Sequence, residues 1–137
     1  MIDVPRGLSL WLHIASAVLL IGGAFYGRLA ILAAAATLPP DAAGKVSDAT
    51  AERFRGWALL AMVALAATGI YNYFFTGPHF ARYHIVLGVK LLLALHIFTS
   101  VWFSLRPNNP RRSRQLAGAG ISGLAVILIA VYLRQIS

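Results

Sequence analysis

The sequence predicts an all-α integral membrane protein, an up-down-up-down four-helix bundle that takes residues 1–137 as a single domain. The first observation is composition: 59% of the 137 residues are hydrophobic, 12% are charged, and the mean hydropathy is +0.74. A soluble domain of this size needs more polar residues to cover its surface. The second observation is that the apolar residues form four stretches, each near the roughly 20 residues that cross about 30 Å of hydrocarbon. We therefore expect a lipid bilayer as the partner of most of its surface.

The first predicted helix covers residues 8–35, which is longer than one crossing requires. Arg28 is expected near its inner end, and the alanines that follow continue the helix into the headgroup region. Pro39 and Pro40 end it, because proline is poorly tolerated inside a helix. The next connection is the one substantial polar stretch of the chain, and Ser47 or Asp48 is expected to cap a short helix that leads into the second span.

The other three helices are predicted over residues 57–75, 83–105 and 116–133. Their connections are short, so consecutive helices are antiparallel and the first and third run in the same direction. Small residues recur in the second helix at Ala58, Ala61 and Ala64, and in the fourth at Ala119 and Gly123. Such residues let neighbouring backbones approach closely. We expect these faces to form helix–helix contacts.

The distribution of basic residues predicts the orientation. The N-terminus, second connection and C-terminus hold three arginines, whereas the first and third connections with their flanks hold Arg28, Lys45, Arg53, Arg55, Arg106, Arg111, Arg112 and Arg114. Basic loops stay in the cytoplasm. This predicts a multi-pass protein of the bacterial inner membrane with both termini outside the cytoplasm. The net charge of +8 is thereby explained without nucleic-acid binding, which we do not expect.

The absence of cysteine limits the possible cofactors. Disulfides, iron–sulfur clusters, thiolate copper sites and covalent C-x-x-C-H haem attachment all need cysteine. A metal centre in this chain must therefore use histidine, lysine, tyrosine or carboxylate ligands.

Four ionisable side chains fall within the predicted spans, where each costs about 2.5–3.5 kcal/mol and so needs a partner or a function. At about 1.5 Å per residue from the outer arginines of the first and third helices, His13 lies about 10 Å deep, His84 about 3 Å, Lys90 about 12 Å and His96 about 21 Å. His13 and Lys90 therefore share a level on parallel helices. We take them as the centre of a candidate cofactor site.

The other two histidines have plainer alternatives. At about 100° per residue, Lys90 lies about 120° from His84 in one direction and from His96 in the other, so the three cannot share one pocket. His84 is either a ligand or an interfacial histidine bonded to headgroups or to Asn72. His96 is either a ligand or a neutral imidazole bonded across the bundle.

Lys90 needs an anion, because no Asp or Glu lies in any predicted span. A haem propionate, a quinone oxygen or a bound anion would serve. The first helix also aligns His13 with Ser16, Gly23 and Gly27 on one stripe. That stripe either gives a planar group room against the backbone or serves ordinary tight packing.

Several motifs resemble those of the copper-resistance protein D (CopD) domain and of related short four-helix proteins of the HemJ type. The resemblance covers nearly the whole chain: W-L-H opens the first helix, G-G lies midway, R-F precedes the second helix, T-G-x-x-N ends it, and a lysine followed by leucines lies in the third. The matching residues are Trp11, Leu12, His13, Gly22, Gly23, Arg53, Phe54, Thr68, Gly69, Asn72 and Lys90.

The two families imply different chemistry. HemJ-type proteins oxidise protoporphyrinogen and bind haem b, with a first-helix histidine and a third-helix lysine at the positions of His13 and Lys90. CopD-type proteins are associated with copper handling. The spacing from His13 to Arg28 and the Gly88 before Lys90 depart from the HemJ pattern.

The leading hypothesis is a haem-dependent membrane redox protein with His13 as axial ligand, His84 or His96 as the second ligand, and Lys90 beside a propionate or substrate anion. Its partner would be a quinone, a porphyrin or another redox carrier. The first alternative is a copper-binding or copper-transport protein that uses His13 and His84. The second is a structural subunit of a larger complex or homo-oligomer, whose histidines only bridge helices.

Overall fold

The computed structural model describes residues 3–75 and 77–137. Within these residues the chain is helical and has no strand, and four helices are long and apolar enough to cross a membrane. They are α1 (Val4–Ala35), α2 (Pro40–Phe75), α3 (Ala81–Ser104) and α4 (Arg112–Ile136). The predicted all-α membrane bundle is confirmed, and the chain is a multi-pass membrane protein.

Helix α1 begins earlier than predicted, because Asp3 caps it. The carboxylate of Asp3 accepts a hydrogen bond from the backbone N–H of Arg6 at 3.2 Å, and Pro5 lies in the first turn, where its missing N–H costs nothing. The helix is regular to Tyr26, widens into π-helical geometry over Gly27–Leu32, and returns to α geometry over Ala33–Ala35. Nothing in the sequence pattern predicted the π-helical segment.

Helix α2 differs most from the prediction. It runs unbroken from Pro40 for 36 residues, so the expected short helix capped by Ser47 or Asp48 is wrong. Proline suits the first turn of a helix, and the following alanines favour continuation. At about 1.5 Å per residue, α2 is about 54 Å long, well beyond the hydrocarbon thickness. Its first turns therefore extend beyond the membrane as a polar helix.

Helices α3 and α4 each begin before the predicted boundary, at Ala81 rather than residue 83 and at Arg112 rather than residue 116. Hydropathy detects only the apolar part of a helix, whereas the backbone hydrogen bonds of the helix continue into the headgroup region. Both are thus longer than their apolar cores, although α3 ends at Ser104, one residue before the prediction.

The four helices pack in the order α2, α1, α4, α3. Helix α1 lies against α2 on one side and α4 on the other, and α3 packs along α4. Helices α2 and α3 make few contacts, although the connection between them is short. The bundle is therefore most open between α2 and α3.

Small residues form the helix contacts, as the sequence predicted. Ala24, Ala58, Ala61 and Ala119 are at most 1% exposed and lie in the core with Leu20 and Val101. Large apolar side chains point outward along all four helices; examples are Ile85, Leu92 and Leu128, each about 70% exposed. Apolar surface of this extent contacts lipid, since soluble monomers rarely expose such patches.

A buried arginine joins the helices at the end of the bundle that holds residues 36–39 and 105–111, which we call the basic end. Arg112 donates from Nε to the carbonyl oxygen of Ser104 at 2.7 Å, from Nη1 to the hydroxyl of Ser47, and from Nη2 to Asp48 at 2.9 Å. Asp48 also accepts from the backbone N–H of Asn108 at 3.1 Å. The polar extension of α2 is therefore fixed to the connection between α3 and α4.

Candidate functional site

His13 faces α2 and is oriented by Thr68. Its Nδ1 lies 2.8 Å from the Thr68 Oγ1, and a Cβ on the adjacent Gly69 would come 3.5 Å from the His13 Cε1. Thr68 is 7% exposed. The 3.5 Å separation is an ordinary contact distance, so the imidazole lies beside the α2 backbone with room for a Cβ at residue 69.

The hydrogen bonding of Thr68 fixes the tautomer of His13. The Thr68 hydroxyl has one proton, and it donates that proton to the Ala64 carbonyl oxygen at 2.6 Å. Its oxygen must then accept from His13, so Nδ1 carries the proton. A neutral imidazole protonated at Nδ1 has its lone pair on Nε2. Nε2 is thus the nitrogen able to bind a metal.

A second polar contact joins the same two helices about one turn toward the N-terminus of α1. The Ser9 hydroxyl donates to the Asn72 Oδ1 at 3.0 Å. The sequence did not indicate Ser9 and Thr68 as partners. It offered Asn72 as one possible partner of His84, whereas the Asn72 Oδ1 bonds α1. The sequence feature that could have indicated these contacts is the pair Thr68 and Asn72, two polar residues four positions apart in an apolar helix.

Lys90 lies half-buried on α3, in the surroundings of His13. Within the described part of the chain the one ion pair joins Arg112 and Asp48, at the basic end. Lys90 therefore shares a region of the bundle with His13 and has no carboxylate beside it.

His84 lies elsewhere, in an aromatic cluster at the end of the bundle that holds the chain termini. Its ring centroid lies 6.2 Å from Tyr73 and 6.0 Å from His79, both in edge-on geometry. His79 stacks on Tyr83 at 3.8 Å between ring centroids and is partly buried. His84 itself is exposed.

His96 faces α4. Its Nδ1 lies 2.9 Å from the Ser122 hydroxyl, and its Nε2 lies 3.3 Å from the Ser100 hydroxyl. Both ring nitrogens therefore have hydroxyl partners. This geometry matches the plainer expectation for His96, an imidazole bonded across the bundle.

The glycine stripe of α1 is filled by side chains. A Cβ on Gly23 would collide with the Phe54 ring, and one on Gly27 would lie 3.3 Å from the Leu116 Cδ1. Of the two expectations for this stripe, ordinary tight packing is correct.

Within residues 3–75 and 77–137, no three His, Cys, Asp or Glu side chains gather closely enough to hold a metal ion together.

Comparisons with known protein families, with curated proteins and with solved structures find no match to this chain. The resemblance to CopD and HemJ therefore stays a prediction from the sequence motifs.

Proposed function

We propose that the protein binds a b-type haem in the membrane and transfers electrons or hydrogen between a membrane-soluble reductant and that haem. The observation that carries this proposal is the 2.8 Å contact between the His13 Nδ1 and the Thr68 Oγ1. Because the Thr68 hydroxyl donates to Ala64, this contact puts the proton on Nδ1 and leaves Nε2 as a ligand nitrogen. Metal-binding histidines commonly donate their other ring N–H to a fixed acceptor in this way. The proposed activity is that of a HemJ-like membrane oxidoreductase.

In this proposal His13 would bind the haem iron, and Thr68 would hold the His13 ring in place. Lys90 would bind a propionate of the haem as its anionic partner, because no Asp or Glu lies in the predicted spans. The proposal uses His13 as its one histidine ligand, because both nitrogens of His96 are engaged by serines and His84 lies apart in the aromatic cluster. The haem would supply one-electron redox chemistry, with a quinone or a porphyrin as the partner.

We also propose the location. The basic end would face the cytoplasm of a bacterial cell, and the chain termini would lie on the opposite side of the inner membrane. His13 and Lys90 would then lie in the extracytoplasmic half of the bilayer.

The test is the absorption spectrum and metal content of the protein purified from cells supplied with haem. The wild type is expected to show a Soret band, and His13→Ala to lose it. His96→Ala is the matched control, which should keep the band. Lys90→Met should weaken haem retention, whereas Lys90→Arg, which keeps the charge but cannot ligate iron, should preserve most of it. A wild type without a Soret band, or one equally intense in His13→Ala, contradicts the proposal.

Copper binding is the second candidate, and one observation favours it: the rings of His79 and His84 lie 6.0 Å apart. Two imidazoles at this separation are compatible with sharing one copper ion. The same metal analysis distinguishes it, since copper content that falls in His84→Ala, without a Soret band, supports copper. A protein with neither metal supports a structural subunit or homo-oligomer.

A further inference from the structure

A cavity of about 510 Å³ lies at the basic end, away from His13 and Lys90. One wall comes from the π-helical part of α1 and the other from the start of α4 and the connection before it. The residues that line it are Arg28, Leu29, Leu32, Ala33, Ser47, Asn109, Pro110, Arg112 and Ser113. It is open to the surface of the bundle and independent of the proposed haem site.

Arg28 is the lining residue with donors to spare. Arg112 uses its guanidinium for four protein acceptors, as it fixes α2 to the connection between α3 and α4. Arg28 is exposed and donates from Nη1 to the Ser113 carbonyl oxygen at 2.9 Å, and this is its one side-chain hydrogen bond within the described residues. Its remaining N–H groups can bind an anion, and the exposed Arg111 and Arg114 add positive charge nearby.

The opposite wall is apolar. Leu29, Leu32 and Ala33 come from consecutive turns of α1, and Leu29 is 66% exposed. A ligand that fills the cavity thus meets a guanidinium at one side and hydrocarbon at the other. π-helical segments frequently occur at functional sites, and Gly27–Leu32 is such a segment.

We propose that this cavity binds the headgroup phosphate of an anionic phospholipid from the leaflet at the basic end. Arg28 donates to the phosphate oxygens, and the acyl chains run along Leu29 and Leu32. The basic residues give the charge complementarity, and the apolar wall favours a lipid phosphate over inorganic phosphate, which has nothing to place there. The position at the membrane–water boundary suits a headgroup.

The test is native mass spectrometry of the protein in mild detergent with added phosphatidylglycerol or phosphatidylcholine. The wild type is expected to retain phosphatidylglycerol more strongly than phosphatidylcholine, because the exposed Arg111 and Arg114 repel the choline cation. Arg28→Gln should lower the bound fraction at least about fivefold, the factor for one arginine near an anionic surface. Arg53→Gln is the matched control, because Arg53 is an exposed arginine at the same end that does not line the cavity.

A second variant guards against misfolding of Arg28→Gln. Ala33→Phe narrows the apolar wall without changing the charge and should also lower phosphatidylglycerol retention, with unchanged helical circular dichroism. Equal losses in Arg28→Gln and Arg53→Gln would reduce the effect to net charge and overturn the site. Retention in both Arg28→Gln and Ala33→Phe, or displacement of the lipid by millimolar inorganic phosphate, would also overturn it.

Discussion

At the scale of single residues, polar side chains within the spans acquire partners on neighbouring helices. His13 bonds Thr68, Ser9 bonds Asn72 and His96 bonds Ser122, because no water is present in hydrocarbon to satisfy these groups. Lys90 is the exception, since no carboxylate lies in its region of the bundle. This contrast is the reason for proposing an anion beside Lys90 and none beside His96.

The Thr68 contact gives the first prediction at this scale. Thr68→Val removes the acceptor for the His13 Nδ1–H while it keeps the shape of the side chain, and should lower stability by about 1 kcal/mol, typical of hydrogen bonds between membrane helices. Thr68→Ser keeps the hydroxyl and should lose less. Unfolding in mixed micelles, followed by circular dichroism, measures the difference. Equal stability of the two variants would mean that the hydroxyl does not hold His13.

At the scale of helices, α1 and α4 make their closest contacts at glycines, which have no side chain. A Cβ on Gly123 of α4 would lie 2.8 Å from the Cγ1 and Cγ2 of Ile21, and one on Gly120 would lie 2.9 Å from the Phe25 ring. Helix α1 therefore packs close to α4 because these two glycines accept its side chains. The β-branched Ile21 has little freedom to move aside.

Gly123→Ala is accordingly expected to destabilise the bundle by about 1–3 kcal/mol, the usual cost of overpacking. Gly118→Ala is the matched control on the same helix, since its Cβ would meet His96 at an ordinary contact distance of 3.6 Å. It should be neutral or slightly stabilising, because alanine favours a helix over glycine. The same micelle unfolding compares the two, and an equally small effect would show that α1 and α4 separate easily.

At the scale of the whole molecule, charge is distributed unevenly between the two ends. Eight of the twelve basic residues belong to the basic end, and the polar start of α2 extends there beyond the hydrocarbon. Arg112 and Asp48 hold this end together, whereas α2 and α3 make few contacts along the membrane. The same basic end thus gives the predicted orientation in the membrane and holds the helices together.

The orientation can be measured with single cysteines, because the natural chain has none. Ser137→Cys lies at the C-terminus, and Ala49→Cys lies on the exposed polar part of α2. In intact cells a membrane-impermeant maleimide is expected to label Ser137→Cys only, and Ala49→Cys should react after permeabilisation. The reverse pattern would place the basic end outside the cytoplasm and contradict the proposed topology.

The sequence by itself determined the fold class, the four helices and their small-residue contact faces. These follow from local properties, since apolar length decides which segments cross a bilayer and small residues decide which faces approach. It also offered His13 and Lys90 as site candidates, a prediction based on depth counted along parallel helices of known rise. The unbroken start of α2 at Pro40 was missed, since a polar helix beyond the membrane has no hydropathy signal.

Only the tertiary structure decided which polar groups meet. The bond of His13 to Thr68 joins residues 55 positions apart, and that of Arg112 to Asp48 joins residues 64 positions apart. Such pairs form only if the two helices are neighbours and are rotated so that the two side chains face each other. The periodicity of one helix predicts its own apolar face, but it predicts neither the packing order of the helices nor their relative rotation. The same holds for the glycine stripe, where Phe54 and Leu116 take the space that the sequence left open for a planar group.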